Sequence, residues 1–180
     1  MASSSSATYT LLQYGDDPFK HSFADPQGNV AFTINEVMRD PNKIIRLIRE
    51  EPWATAHSSY IMGPDKSYFF FGAEERPGYV VYGNSQIKIS MEFFLRPGKK
   101  EGSTSRYFRT QTGLHFKWKI ISTHKMECQD DKHRRLAVWE VSPPDEENFG
   151  RLVLVHASLS MVTEILTSLT LNRMAQALGW

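Results

Sequence analysis

The chain carries a single cysteine, Cys128, so no internal disulfide can form and no cysteine-rich metal site can be assembled within it. It also has almost no net charge, since 21 Lys and Arg oppose 20 Asp and Glu to leave +1. No global field therefore recruits nucleic acid, and any attraction for phosphate has to come from a local patch. Motifs for nucleotide or nucleophile chemistry are missing as well: there is no Walker loop, no Gly-x-Gly-x-x-Gly turn and no Gly-x-Ser-x-Gly elbow. The histidines, His21, His57, His115, His124, His133 and His156, are scattered without a His-x-x-x-His pair, so neither metal nor cofactor is expected. Cys128 sits in the acidic stretch Glu127-Cys128-Gln129-Asp130-Asp131, which disfavours a reactive thiolate.

Residues 1–7 hold a serine run with neither a basic n-region nor an apolar h-region, unlike a secretory or transit peptide. They read as a frayed tail, and with the lone cysteine they suggest a reducing, cytoplasmic setting. Residues 8–180 then form one domain, because 180 residues suffice for a substantial core without staples.

What is present is a succession of short period-two segments separated by Pro- and Gly-containing turns. Strands are expected at 8–14, 19–24, 30–34, 43–51, 67–71, 79–82, 87–95, 106–109, 114–121, 136–141 and 151–155, with charged loops at 127–135 and 143–148. Segment 87–95 carries the plainest alternation, Ile87, Ile89, Met91, Phe93 and Leu95. One long apolar stretch closes the chain. There Leu159, Met161, Val162, Ile165, Leu166, Leu169 and Leu171 run around most of a helical wheel, which is the pattern of a helix buried on all sides. Glu164 and the interspersed Ser and Thr argue against a spanning segment. No βαβ alternation occurs, so hairpins dominate. A mainly β (α+β) fold follows, an antiparallel barrel enclosing a central helix at 157–178 that would be about 33 Å long.

The run Ser105-Arg106-Tyr107-Phe108-Arg109-Thr110-Gln111-Thr112-Gly113-Leu114-His115-Phe116-Lys117-Trp118-Lys119 resembles the signature hairpin of a family of small proteins of mushroom-forming fungi, built on a domain of unknown function. That family pairs a Ser-Arg-x-Phe strand and a Gly turn with an aromatic-Lys-Trp-Lys strand, and ends in an apolar helix. It is similar in turn to the tubby C-terminal, LURP-one-related and phospholipid-scramblase group, whose fold is a β-barrel around a hydrophobic C-terminal helix. The resemblance implies that fold, and for the tubby members it implies phosphoinositide binding at a basic surface.

Two sets of candidate residues emerge. Arg106 and Arg109 on one strand, Lys117 and Lys119 on the next, and Lys99 and Lys100 in the preceding turn make a basic, partly aromatic patch suited to phosphate. This favours a non-enzymatic module that binds an anionic lipid headgroup or a protein partner, peripheral at a membrane. The alternative is an enzyme of cyclase or isomerase type, or a carrier of a small apolar ligand, with His115, His156 and Glu164 in a pocket beside the helix. Alternating lysines on a half-buried strand are equally ordinary as a solvated outer face. Trp118 is expected to fill the space between wall and helix rather than stack on a ligand.

Overall fold

The computed structural model describes residues 7–180. The expected tail at 1–7 lies outside the described residues except for Ala7, whose carbonyl accepts the His156 backbone N–H at 2.8 Å.

Thirteen strands form one antiparallel sheet. They are β1 Thr8–Tyr14, β2 His21–Ala24, β3 Val30–Met38, β4 Ile44–Arg49, β5 Lys66–Phe70, β6 Tyr79–Tyr82, β7 Ile89–Ser90, β8 Arg96–Pro97, β9 Ser105–Arg109, β10 His115–Ser122, β11 Lys125–Asp130, β12 Arg135–Val141 and β13 Gly150–Val155. Except for β7 and β8, each strand pairs with its neighbours in sequence, and β1 pairs with β13 to join the two halves. The order runs β7-β6-β5-β4-β3-β2-β1-β13-β12-β11-β10-β9-β8, so the free edges are β7 and β8. Those two strands are consecutive in the chain. The short helix α2, Met91–Phe94, bridges them and buries Met91 and Phe94.

The sheet is unclosed, with α2 spanning its seam. Segment 87–95 is accordingly not one strand. Ser90 accepts the Glu92 N–H at 3.2 Å as an N-cap, and Met91 and Phe94, three residues apart, meet the core as one helical face. The apolar alternation across 87–95 fits a strand equally well, and only the seam decides between them. The expected charged loop at 127–135 begins as strand β11, because Met126, Cys128 and Asp130 turn inward while Glu127 and Gln129 face out. The expected strand at 43–51 stops at Arg49, and helix α1, Glu51–Ala56, follows with Pro52 in its first turn and Trp53 buried beneath it.

The sheet wraps helix α3, Val162–Leu178, which is entered through a 3-10 segment at His156–Met161 and ended by Gly179 in the left-handed conformation (φ 73°). Every residue from Val162 to Ala175 is buried. Hydrophobic side chains from both halves of the sheet reach this helix, among them Leu11, Phe32, Leu47, Phe69, Phe108, Trp118, Trp139 and Leu152. Its hydroxyls bond to opposite walls. Thr167 Oγ1 lies 2.8 Å from Ser67 Oγ on β5, and Trp118 Nε1 on β10 donates to Ser168 Oγ at 2.8 Å. A helix that is apolar all round survives because it is covered all round, and most of its polar atoms find partners inside, Thr170 Oγ1 and Arg173 Nη1 being left without one. Among the described residues no helix is long and apolar enough to cross a membrane.

Candidate functional site

The β9–β10 hairpin is shaped by its turn. Gly113 takes φ 90°, a conformation a side chain would resist, and Thr110 closes the loop from both its backbone and its hydroxyl onto Leu114. The register sets Lys117 opposite Tyr107 and Lys119 opposite Ser105, while Phe116 and Trp118 face Phe108 and Arg106 on the other side of the sheet. Arg106 thus belongs to the face of Trp118, away from Lys117.

Beside this hairpin the chain leaves β8 through Gly98. The Gly98 N–H donates to the Ser105 carbonyl at 3.2 Å, Ser103 N–H to the Lys100 carbonyl at 3.1 Å, and Ser105 N–H to Ser103 Oγ at 3.3 Å. The loop carrying Lys99 and Lys100 is folded by these bonds against the outer side of β9. On the far side stands the β11–β12 turn. Burial works against the Asp130 carboxylate, but N–H groups of Arg134 and Lys132 and the Arg134 guanidinium at 2.7 Å hold it below the usual carboxylate range. That turn places His133 at φ 62°, with Nδ1 3.1 Å from Lys117 Nζ.

Between these walls lies a cleft of about 700 Å³. Arg96, Lys99, Lys100, Lys117, His115 and His133 line it with Tyr107 and the Ser103 and Ser105 side, and no carboxylate does. Asp130 and Asp131 enter only at the adjoining smaller depression past Lys117. Among the described residues Arg96, Lys99, Lys100 and Lys117 form no salt bridge. Arg96 is oriented by its stacking on Phe93 (4.1 Å) and by donation to the Phe93 carbonyl at 3.2 Å. Unpaired cations converging on one hollow are chemically equipped to hold phosphate or a similar multiply charged anion.

Of the six basic residues expected from sequence, Lys99, Lys100 and Lys117 line the cleft. Arg106 is turned to the other face, the Arg109 guanidinium lies over Gly113, and Lys119 stands opposite Glu127, itself bridged to Arg135 at 3.7 Å. Arg96 and His133 were not anticipated. Arg96 opens the same polar turn as Lys99 and Lys100 but was not counted with them, and His133 depends on a left-handed turn that its sequence does not announce.

The three residues of the alternative reading have separate surroundings. His115 is exposed at the cleft, and the His156 ring packs edge-on to Tyr60 at 4.5 Å. Glu164 is 5% exposed and accepts the Gln111 N–H at 2.7 Å, with burial pushing its carboxyl up. Among the described residues no hydrogen bond joins them, and no group of three or more His, Cys, Asp or Glu could hold a metal ion. Cys128 is fully buried on β11, where desolvation first and Asp130 second push its thiol far up.

Comparisons with protein-family models, curated proteins and solved structures return no match. The functional reading therefore rests on this geometry.

Proposed function

We propose that this protein is a non-enzymatic binding module that holds a phosphate-bearing, multiply anionic headgroup in the cleft between the Lys99–Lys100 loop, the β9–β10 hairpin and the His133 turn. The observation that carries this reading is the lining itself: Arg96, Lys99, Lys100 and Lys117 with two histidines, and no carboxylate among them. Such a site pays little desolvation penalty because it is open, and it gains from several charge-assisted hydrogen bonds at once. The likeness to the tubby group points the same way, toward a phosphoinositide headgroup at a cytoplasmic membrane surface. An acidic protein surface is the competing occupant. The enzyme or carrier reading has less to support it, since Glu164, His156 and His115 keep separate partners and the space around the central helix is filled by side chains.

Co-sedimentation with vesicles tests the proposal. Vesicles containing a phosphoinositide should retain the protein at low salt and release it as salt rises, whereas phosphatidylcholine vesicles should not retain it. Replacing Lys99, Lys100 and Lys117 with alanine should each weaken retention roughly fivefold, at about 1 kcal/mol per lysine near the surface. Retention that ignores salt and survives the triple replacement would remove the cleft from consideration.

A further inference from the structure

A second surface is built from the outward residues of β3 to β6. On β5, Ser67 and Phe69 are fully buried and Tyr68 and Phe70 consequently face outward; on β6, Val80 and Tyr82 point in and Tyr79 and Val81 point out. The register sets Phe70 beside Tyr79 and Tyr68 beside Val81, with Arg46 of β4 on the other flank of Tyr68 and Asn35 of β3 beyond it. The rings touch: Phe70 and Tyr79 lie 4.8 Å apart at 17°, and Tyr68 and Phe70 6.1 Å apart at 39°. Lys88 stands with its ammonium 4.6 Å from the Tyr79 ring centre. All three rings remain partly exposed.

The charge of this face has one sign. No Asp or Glu occupies an outward position of β4, β5 or β6, and among the described residues neither Arg46 nor Lys88 forms a salt bridge. Some outer charges of the other half of the sheet are paired, as in Arg151 with Glu140 at 2.9 Å and Arg135 with Glu127 at 3.7 Å. Arg46 Nε and Asn35 Oδ1, both shielded from solvent, lack hydrogen-bond partners.

We infer that this face is a docking surface for single-stranded nucleic acid, with bases packing against Tyr68 and Phe70 and phosphates meeting Arg46 and Lys88. A cluster of three rings flanked by Arg46 and Lys88 matches a ligand that carries both planar π-systems and negative charge. A neutral glycan would use the rings but leave the cations uncompensated, and a duplex would use the cations but hide its bases. The strip crosses four strands at about 4.8 Å spacing, roughly 14 Å, which suits about two or three nucleotides. Overall charge gives no such signal, because +1 averages over the whole chain and this charge is local.

Fluorescence anisotropy of the full chain with a short labelled single-stranded RNA of mixed sequence tests the inference, with the matching duplex as competitor. The expected result is saturable binding that the duplex competes for poorly. Phe70→Ala and Tyr68→Ala should each weaken it about tenfold. Lys88→Glu, at an exposed position that cannot disturb the core, should weaken it and lower the salt slope by about one. Replacing Lys99 and Lys100 should leave it unchanged, which separates this surface from the anion cleft. Absence of binding overturns the inference, as does equal competition by duplex or loss of binding only in the Lys99 and Lys100 variant. It is equally overturned if Phe70→Ala and Lys88→Glu instead abolish self-association in sedimentation or retention on vesicles while leaving RNA binding intact.

Discussion

The Glu164 carboxylate accepts the backbone N–H of Gln111 at 2.7 Å, tying the first turn of the central helix to the turn of the hairpin that carries Lys117. Gln111 is held from its other side by Asn84, the two side-chain amides exchanging bonds of 3.1 and 2.9 Å. Glu164→Ala should cost about 1 kcal/mol by removing the acceptor of the Gln111 N–H, while Glu164→Gln, which keeps an acceptor, should cost less. Urea unfolding of the two variants measures the difference, and equal losses would show that the bond to Gln111 contributes nothing.

Trp118 and Ser168 join wall to helix through one buried hydrogen bond of 2.8 Å. Ser168→Ala should destabilise by about 1–3 kcal/mol because the indole N–H is left without an acceptor. Adding Trp118→Phe should cost less in that background than in the wild type, since the donor is then removed with its partner. Additive losses in a double-mutant cycle would contradict this.

At the opposite end of the helix, His21 is buried beside Arg173, and burial first, then the guanidinium, lower its pKa to about 3. His21 Nδ1–H donates to the Asp17 carbonyl at 2.9 Å, and Arg173 donates to the Asp16 carbonyl at 3.0 Å while lying over Trp139. An unfolded chain binds a proton at this histidine near pH 6.5 and the folded one does not until about pH 3. Stability should therefore fall as pH drops through that window, by at most about 1.4 kcal/mol per pH unit from this group. Glu164, whose pKa is raised, works in the opposite direction just above its unfolded value. His21→Gln should flatten the acid limb of a stability-versus-pH curve, and Arg173→Met should move the His21 titration upward in an NMR experiment. An unchanged acid limb in His21→Gln would assign the sensitivity elsewhere.

Cys128, enclosed between the sheet and the core, should resist alkylation in the native state. Its labelling rate should follow global unfolding, rising with denaturant in step with loss of Trp fluorescence. Rapid native labelling would mean that β11 opens locally.

Much of the architecture was legible in local pattern. Period-two alternation located β1 and β6 to the residue, because an outer face in water and an inner face in a core leave a mark at every second position. The all-round apolarity within 157–178 announced an enclosed helix, and the structure buries Val162 to Ala175 of it, since such a surface is tolerated nowhere else in water. Lys99, Lys100 and Lys117 were recognisable as phosphate-compatible side chains from their chemistry. What lay beyond local pattern was everything that depends on residues distant in sequence. The seam made Met91–Phe94 a helix although its residues alternate like a strand, and with it released Arg96 to the cleft. Pairing with β10 and β12 drew Lys125–Asp130 into the sheet despite its charge, and the hairpin register sent Arg106 to the inner face and Lys117 to the outer one. A side chain's chemistry is local, but which way it faces and what it meets are set by pairing energies summed across the whole sheet.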